Sequence, residues 1–99
     1  MATTPLYVEI ITSPECAFSP KAVSAVRKLA RKRKDVVLLE VSIATQQGMA
    51  RAQEYSVKAT PTIAINGCIA YEGVPETKVL EKIVSDAQKK EKEKTSYFA

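Results

Sequence analysis

The chain has 99 residues, 45% of them hydrophobic and 26% charged, with a formal net charge of +4. That length supports one domain around one hydrophobic core and excludes two, and no run approaches the roughly 18 apolar residues of a membrane span. Two cysteines and no histidine point to thiol chemistry rather than a disulfide staple, and remove the commonest base and metal ligand.

Met1 to Pro5 has no basic region followed by an apolar run, so no secretory leader is expected and the cytoplasm is the expected compartment. Leu6 to Thr12 (LYVEIIT) is β-branched and apolar, ends at Ser13-Pro14, and predicts a strand buried on both faces. After Cys16, Ala22, Val23, Val26, Leu29 and Ala30 fall on one helical stripe, with Arg27, Lys28, Arg31 and Lys32 largely outside it. Pro20 fits only the first turn, so this helix is expected to begin at about Ala17 or Phe18. Lys21 to Lys34 holds seven basic side chains and no acidic one. Such a run fits a solvated helix face whose cations lie near the negative end of the helix dipole.

Val36 to Val41 predicts a second strand, and Met49 to Tyr55 a short helix with Ala and Met turned inward. Thr62 to Ile65 and Ile69 to Tyr71 flank Asn66-Gly67, the signature of a type I′ hairpin, because both turn residues must accept positive φ. A last helix opens at Pro75 or Glu76 with the stripe Val79, Leu80, Ile83, Val84 and Ala87. The order β-α-β-α-β-β-α predicts a four-stranded mixed α/β sheet with helices on both faces. Its first crossover is parallel and right-handed, and its last hairpin antiparallel. Residues 1–88 are expected to form the domain, and 89–99, charged all round from Lys89 to Lys94, a solvated and flexible tail.

Cys16 lies where a strand turns into a helix N-terminus, beside unpaired backbone N–H groups and the positive end of the dipole. Both favour the nucleophilic thiolate, and the polar neighbours Glu15 and Ser19 speak against a buried, inert thiol. Pro61 cannot serve a central ladder, so it belongs at the first residue of its strand. Cys68 follows the hairpin turn, roughly 15 Å from the Pro61 end at the rise of an extended strand. That exceeds the Cα separation of about 7 Å a disulfide tolerates, so Cys68 reads as an ordinary strand residue at a turn.

The stretch Thr12-Ser13-Pro14-Glu15-Cys16-Ala17-Phe18-Ser19-Pro20-Lys21 resembles the active-site segment of small archaeal-type glutaredoxin-like thioredoxins, which read T-S-P-x-C-P-Y-C-P between a strand and a helix. The resemblance continues through Ala59-Thr60-Pro61-Thr62-Ile63-Ala64-Ile65-Asn66-Gly67 and Tyr71-Glu72-Gly73-Val74-Pro75, and covers roughly residues 6 to 85. It implies a thioredoxin-like fold and a thiol–disulfide oxidoreductase with Cys16 as the attacking nucleophile. It also implies a cis Thr60–Pro61 bond whose flanking backbone receives an extended substrate, with Glu15 and Phe18 bordering the groove. Thioredoxin proper carries a tryptophan before the reactive cysteine and a buried aspartate upstream. Glu15 and Ile10 stand at those places here, so the glutaredoxin-like branch fits better.

The chain departs from the family pattern at Ser19, which stands where the second cysteine belongs. A dithiol enzyme frees itself when its second thiolate attacks the mixed disulfide, and serine cannot make that attack. Three readings stay open: a natural serine with resolution by an outside thiol, an introduced serine that traps the intermediate, and a thiol put to another use. The implied partners are a disulfide-containing protein and a reductase or low-molecular-weight thiol, acting on a monomer, with no membrane or nucleic-acid partner expected.

Cys-Ala-Phe-Ser also resembles the Cys-Gly-Phe-Ser motif of monothiol glutaredoxins, which carry an iron–sulfur cluster between subunits. Ala17 replaces the glycine, Gly73-Val74-Pro75-Glu76 replaces the glutathione-binding stretch, and one cysteine per chain falls short of the four thiolates a cluster usually needs. An iron–sulfur carrier or redox-inactive binding module therefore ranks second. Nucleic-acid binding through Arg27 to Lys34, which would depend strongly on salt, ranks third. No metal motif or phosphate loop is present, and no cofactor is expected.

Overall fold

A computed structural model describes residues 5–97, with side chains through residue 91. The elements run β1 (Leu6–Thr12), α1 (Ser19–Lys32), β2 (Val36–Ser42), α2 (Gln46–Glu54), β3 (Thr62–Ile65), β4 (Cys68–Glu72) and α3 (Thr77–Tyr97). The strands form one mixed sheet in the order β2-β1-β3-β4. β1 is parallel to β2 and antiparallel to β3, and β3 is antiparallel to β4. This is the expected thioredoxin-like arrangement.

The two sheet faces are built from different chemistry, because side chains alternate along a strand. Leu6, Val8 and Ile10 of β1 join Ile63 and Ile65 of β3 against Ala22, Val23, Val26 and Leu29 of α1 and Leu80 and Val84 of α3. That layer is the hydrophobic core. The opposite face of β1 presents Tyr7, Glu9 and Ile11. Tyr7 stays half exposed and Ile11 is fully buried. Glu9, buried to 5% exposure, accepts hydrogen bonds from Arg51 at 2.8 and 3.1 Å and from the Tyr55 hydroxyl. α2 is thus fastened across the sheet by a carboxylate with three donors. The Arg51 guanidinium holds the Glu9 carboxyl below its usual value, against the opposing effect of burial.

Several element ends, and the facing of two side chains, differ from expectation. α1 starts at Ser19, with Phe18 as N-cap and Pro20 in the first turn. α2 starts at Gln46, ahead of the expected Met49, because the Thr45 side chain accepts the Gly48 N–H at 2.9 Å and caps it there. Gly48 belongs inside that first turn: a Cβ on it would sit 1.7 Å from the Ser42 carbonyl oxygen. Met49, expected inward, is 43% exposed, and Ala52 is the buried residue of that helix. β4 takes in Cys68 and Glu72, and in the last helix Val79 lies outside the buried stripe.

Asn66 and Gly67 both have positive φ, as their turn requires, and Asn66 does more than turn the chain. Its carboxamide oxygen accepts the Tyr7 N–H at 2.8 Å while its own N–H donates to the Tyr7 carbonyl, extending the β1–β3 ladder by one residue. α3 continues through Lys89 as far as Tyr97. The segment 89–99 read as a charged tail lies for the most part outside the residues whose side chains are described, as does most of the Met1 to Pro5 opening. Among the described residues, no helix is long and apolar enough to cross a membrane.

Candidate functional site

The site forms where β1 ends and β3 begins, at the same edge of the central strand pair. Residues 13–19 fold into a compact loop held by their own polar groups. Ser13 Oγ accepts the Glu15 N–H at 3.3 Å, the Ser13 carbonyl accepts the Cys16 N–H at 3.0 Å, and the Cys16 carbonyl accepts the Ser19 N–H at 3.3 Å. The Ser13 N–H donates to Ser19 Oγ at 3.2 Å, which closes the loop onto the first residue of α1. Cys16 therefore precedes the helix by three residues rather than standing inside its first turn.

Across the sheet edge, the Thr60–Pro61 peptide bond is cis. Pro61 is buried, and its carbonyl accepts the Gly73 N–H at 2.7 Å, which anchors the start of β3 to the end of β4. Thr62 Oγ1 donates to the Ala59 carbonyl at 2.6 Å and holds the approach to the proline. The result is a close contact over a long sequence separation: Cys16 Sγ donates to the Thr60 carbonyl at 3.3 Å.

Cys16 is a free thiol, partly exposed, with its acidity raised so that its pKa falls from 9.0 to about 7. The largest cause is the Ser19 hydroxyl hydrogen-bonded to the sulfur, followed by the Thr60 side chain. Burial opposes both, and the backbone N–H groups of Phe18 and Ser19 add smaller support. The bond to the Thr60 carbonyl exists only while the sulfur carries its proton. On ionisation the hydroxyls and N–H groups remain as donors to the negative charge. The helix-terminus effect expected from the sequence is thus present as two backbone donors but comes second to a neighbouring hydroxyl. Ser19, nearly fully buried at 3% exposure, holds the loop through one bond and acidifies the thiol through another.

Of the candidate residues, Cys16, Ser19, Thr60 and Pro61 meet at this point, while Glu15 and Phe18 lie on the exposed rim. Phe18 is 58% exposed, with the Lys21 ammonium over its ring at 5.4 Å. An aromatic ring open to solvent beside a nucleophile is a surface against which an apolar part of a larger molecule can rest. Cys68 is apart from all of these, exposed at the first position of β4 and a free thiol.

The sequence reading missed the other side of the thiol. A cleft of about 420 Å³ opens there, lined among others by Ser13, Pro14, Cys16, Ser19, Arg27, Glu40 and Ser42. The sequence marks Arg27 as part of a basic helix face and of a third-ranked nucleic-acid stretch, and nothing in Glu40 or Ser42 as residues points to a site. They arrive there because β2 lies parallel beside β1, so both strands end at the same edge. Among the described residues, no group of three or more His, Cys, Asp or Glu side chains is placed to hold a metal ion.

A family model described as a thioredoxin domain matches residues 6–85. A thioredoxin of Methanocaldococcus jannaschii is 34% identical over 77 residues, covering 78% of this chain and 89% of that protein. Among solved structures, Fasciola hepatica thioredoxin matches with a TM-score of 0.67 at 26% identity, covering 84% of this chain and 82% of the other. Thioredoxin f from spinach chloroplast has the same fold, with a TM-score of 0.67 at 22% identity over 83% of this chain and 76% of the other.

Proposed function

The chain belongs to the thioredoxin-domain family, and from that premise we propose that it is a thiol–disulfide oxidoreductase of the glutaredoxin-like branch with one reactive cysteine. The Cys16 thiolate attacks one sulfur of a protein disulfide. A Cys16–substrate disulfide forms, the substrate's own S–S bond breaks, and its other sulfur leaves as thiolate. The observation that carries this reading is the Cys16 sulfur, 3.3 Å from the Thr60 carbonyl, with a pKa near neutrality. Thr60 and Pro61 offer backbone to an extended substrate, and Phe18 and Glu15 border it.

Ser19 has no sulfur with which to resolve this intermediate, so a reductase or small thiol completes the cycle. The working unit is a cytoplasmic monomer formed by residues 1–88, with 89–99 as a charged appendage. The test is incubation with an aromatic disulfide at pH 7, followed by peptide mapping. A covalent adduct on Cys16 supports the reading, and an unmodified Cys16 overturns it. Ser19→Cys should then release the bound substrate without an outside thiol, by attack of the new thiolate on the mixed disulfide.

A further inference from the structure

We propose that the groove between α1 and α3 is a docking site for a partner protein, which seats an acidic amphipathic helix there. The inference concerns binding alone and does not depend on the chemistry of Cys16.

The groove follows from how α1 divides its surface. Ala22, Val23, Val26 and Leu29 are buried in the core. Beside them Lys21, Ser24, Ala25, Lys28, Arg31 and Lys32 repeat at i, i+3, i+4, i+7, i+10 and i+11, which places them on one helix face. That face forms one wall of a groove of about 700 Å³, and α3 supplies the other through Thr77, Leu80 and Glu81. Ala25, Leu29 and Leu80 give the groove an apolar floor. Its lining runs along α1 from Pro20 to Lys32, a rise of about 18 Å at the helical repeat, or roughly three turns of a bound helix.

Charge states what the partner carries. The groove holds Lys21, Lys28, Arg31 and Lys32 against the one carboxylate of Glu81. Among the described residues none of these five takes part in an ion pair, and α1 itself contains no acidic residue. Lys28 has Arg31 three residues on and Lys32 four residues on, and like charges at those spacings repel. The helix dipole accommodates Arg31 and Lys32 in the last turn but disfavours Lys21 in the first. The stripe thus carries a repulsion that no described ion pair relieves, and carboxylates on a bound segment relieve it.

Shape and floor select a helix among acidic partners. Two helices side by side offer the groove into which a third packs, with axes about 8–10 Å apart. Ala25 is small enough for close approach, and Leu29 and Leu80 receive apolar side chains spaced at i, i+3, i+4 and i+7, the helix-in-groove mode of recognition. A single-stranded nucleic acid needs aromatic rings on which its bases stack, and the groove's lining contains no aromatic residue.

The experiment titrates the full chain, kept reduced, into a fluorescent cysteine-free peptide of about 14 residues, long enough to span the groove as a helix. The peptide carries leucine at i, i+3, i+4 and i+7 and glutamate on the flanks of that stripe. It should bind about tenfold more tightly than a scrambled peptide of the same composition, or one with lysine in place of glutamate. Lys28→Glu should weaken binding about fivefold, because one charge contact is replaced by a like-charge one, and Lys28→Arg should keep the affinity. Lys58→Glu makes the same change in net charge at an exposed residue outside the groove, and should cost no more than about twofold through screened long-range attraction. Amide shifts on binding should centre on Ser24, Ala25, Lys28 and Glu81. Absence of binding, equal affinity for the scrambled peptide, equal effects of Lys28→Glu and Lys58→Glu, or shifts centred elsewhere overturns the proposal. A single-stranded oligonucleotide that outcompetes the peptide and loses its own binding in Lys28→Glu overturns it too, by making the groove a nucleic-acid surface.

Discussion

Strand β3 begins beside one cysteine and ends three residues before the other. At its start, Pro61 and the Thr60 carbonyl face Cys16, whose sulfur has a buried hydroxyl, a backbone carbonyl and two amide donors around it. At its end, Asn66 and Gly67 turn the chain in left-handed conformations and deliver Cys68 to an exposed edge position. Both residues are free thiols. One end is organised around a charge that can appear on sulfur, and the other around backbone geometry. Substitutions at the first should therefore alter chemistry, and substitutions at the second should alter stability.

The largest expected contrast is between the cysteines themselves. Cys16→Ser should abolish adduct formation with an aromatic disulfide at residue 16 and eliminate disulfide reduction, whereas Cys68→Ser should leave the rate of adduct formation at Cys16 unchanged. Mass spectrometry of the two variants separates these outcomes, and equal loss in both would erase the distinction between the two ends.

Acidity sharpens the contrast. Cys16 has a depressed pKa, so its thiolate is present above about pH 7 and disappears as pH falls through that value. Alkylation of Cys16 by iodoacetamide should accordingly be about thirtyfold slower at pH 5.5 than on its alkaline plateau. An inflection near 9.0 instead would mean that its neighbours do nothing to it.

Ser19→Ala isolates the leading contributor. It removes the hydroxyl from the sulfur and the acceptor from the Ser13 N–H. The inflection should move toward the ordinary thiol value, with roughly fivefold less thiolate at pH 7 for an upward move of about one unit. The same pH series on the variant reads it directly, and an unmoved inflection would reassign the effect to the backbone donors.

The smallest expected effect belongs to the turn. Gly67 has φ of +86°, where a side chain costs about 1 kcal/mol. Gly67→Ala should lower the stability in urea by about that amount and leave the Cys16 inflection where it was. A change in thiol acidity from this position would show that the two ends of β3 are coupled.

The contrast between the faces of β1 shows how much was legible beforehand. The α1 and α3 layer could be read from spacing, since Ala22, Val23, Val26 and Leu29, like Leu80 and Val84, repeat at helical intervals. The α2 layer could not. Its central contact joins Glu9 to Arg51 and Tyr55, more than forty residues away, and a glutamate in an apolar strand carries no mark of its partner. The start of α2 likewise escaped, because Thr45 acts as a cap only through the position of its side chain. In the site, Cys16, Ser19, Thr60 and Pro61 were named from local motifs, while Arg27, Glu40 and Ser42 were not.

Local sequence determined most of the elements, the hairpin and the place of the acidified sulfur, because periodicity, turn chemistry and residue type act over a few neighbouring residues. Only the tertiary structure decided that a serine hydroxyl leads in acidifying that sulfur, that its neighbour across the sheet is a carbonyl 44 residues away, and that a charged cleft opens on its other side. Those properties depend on which strand lies beside which. Strand pairing assembles side chains by distance in space, and their separation along the chain does not encode it.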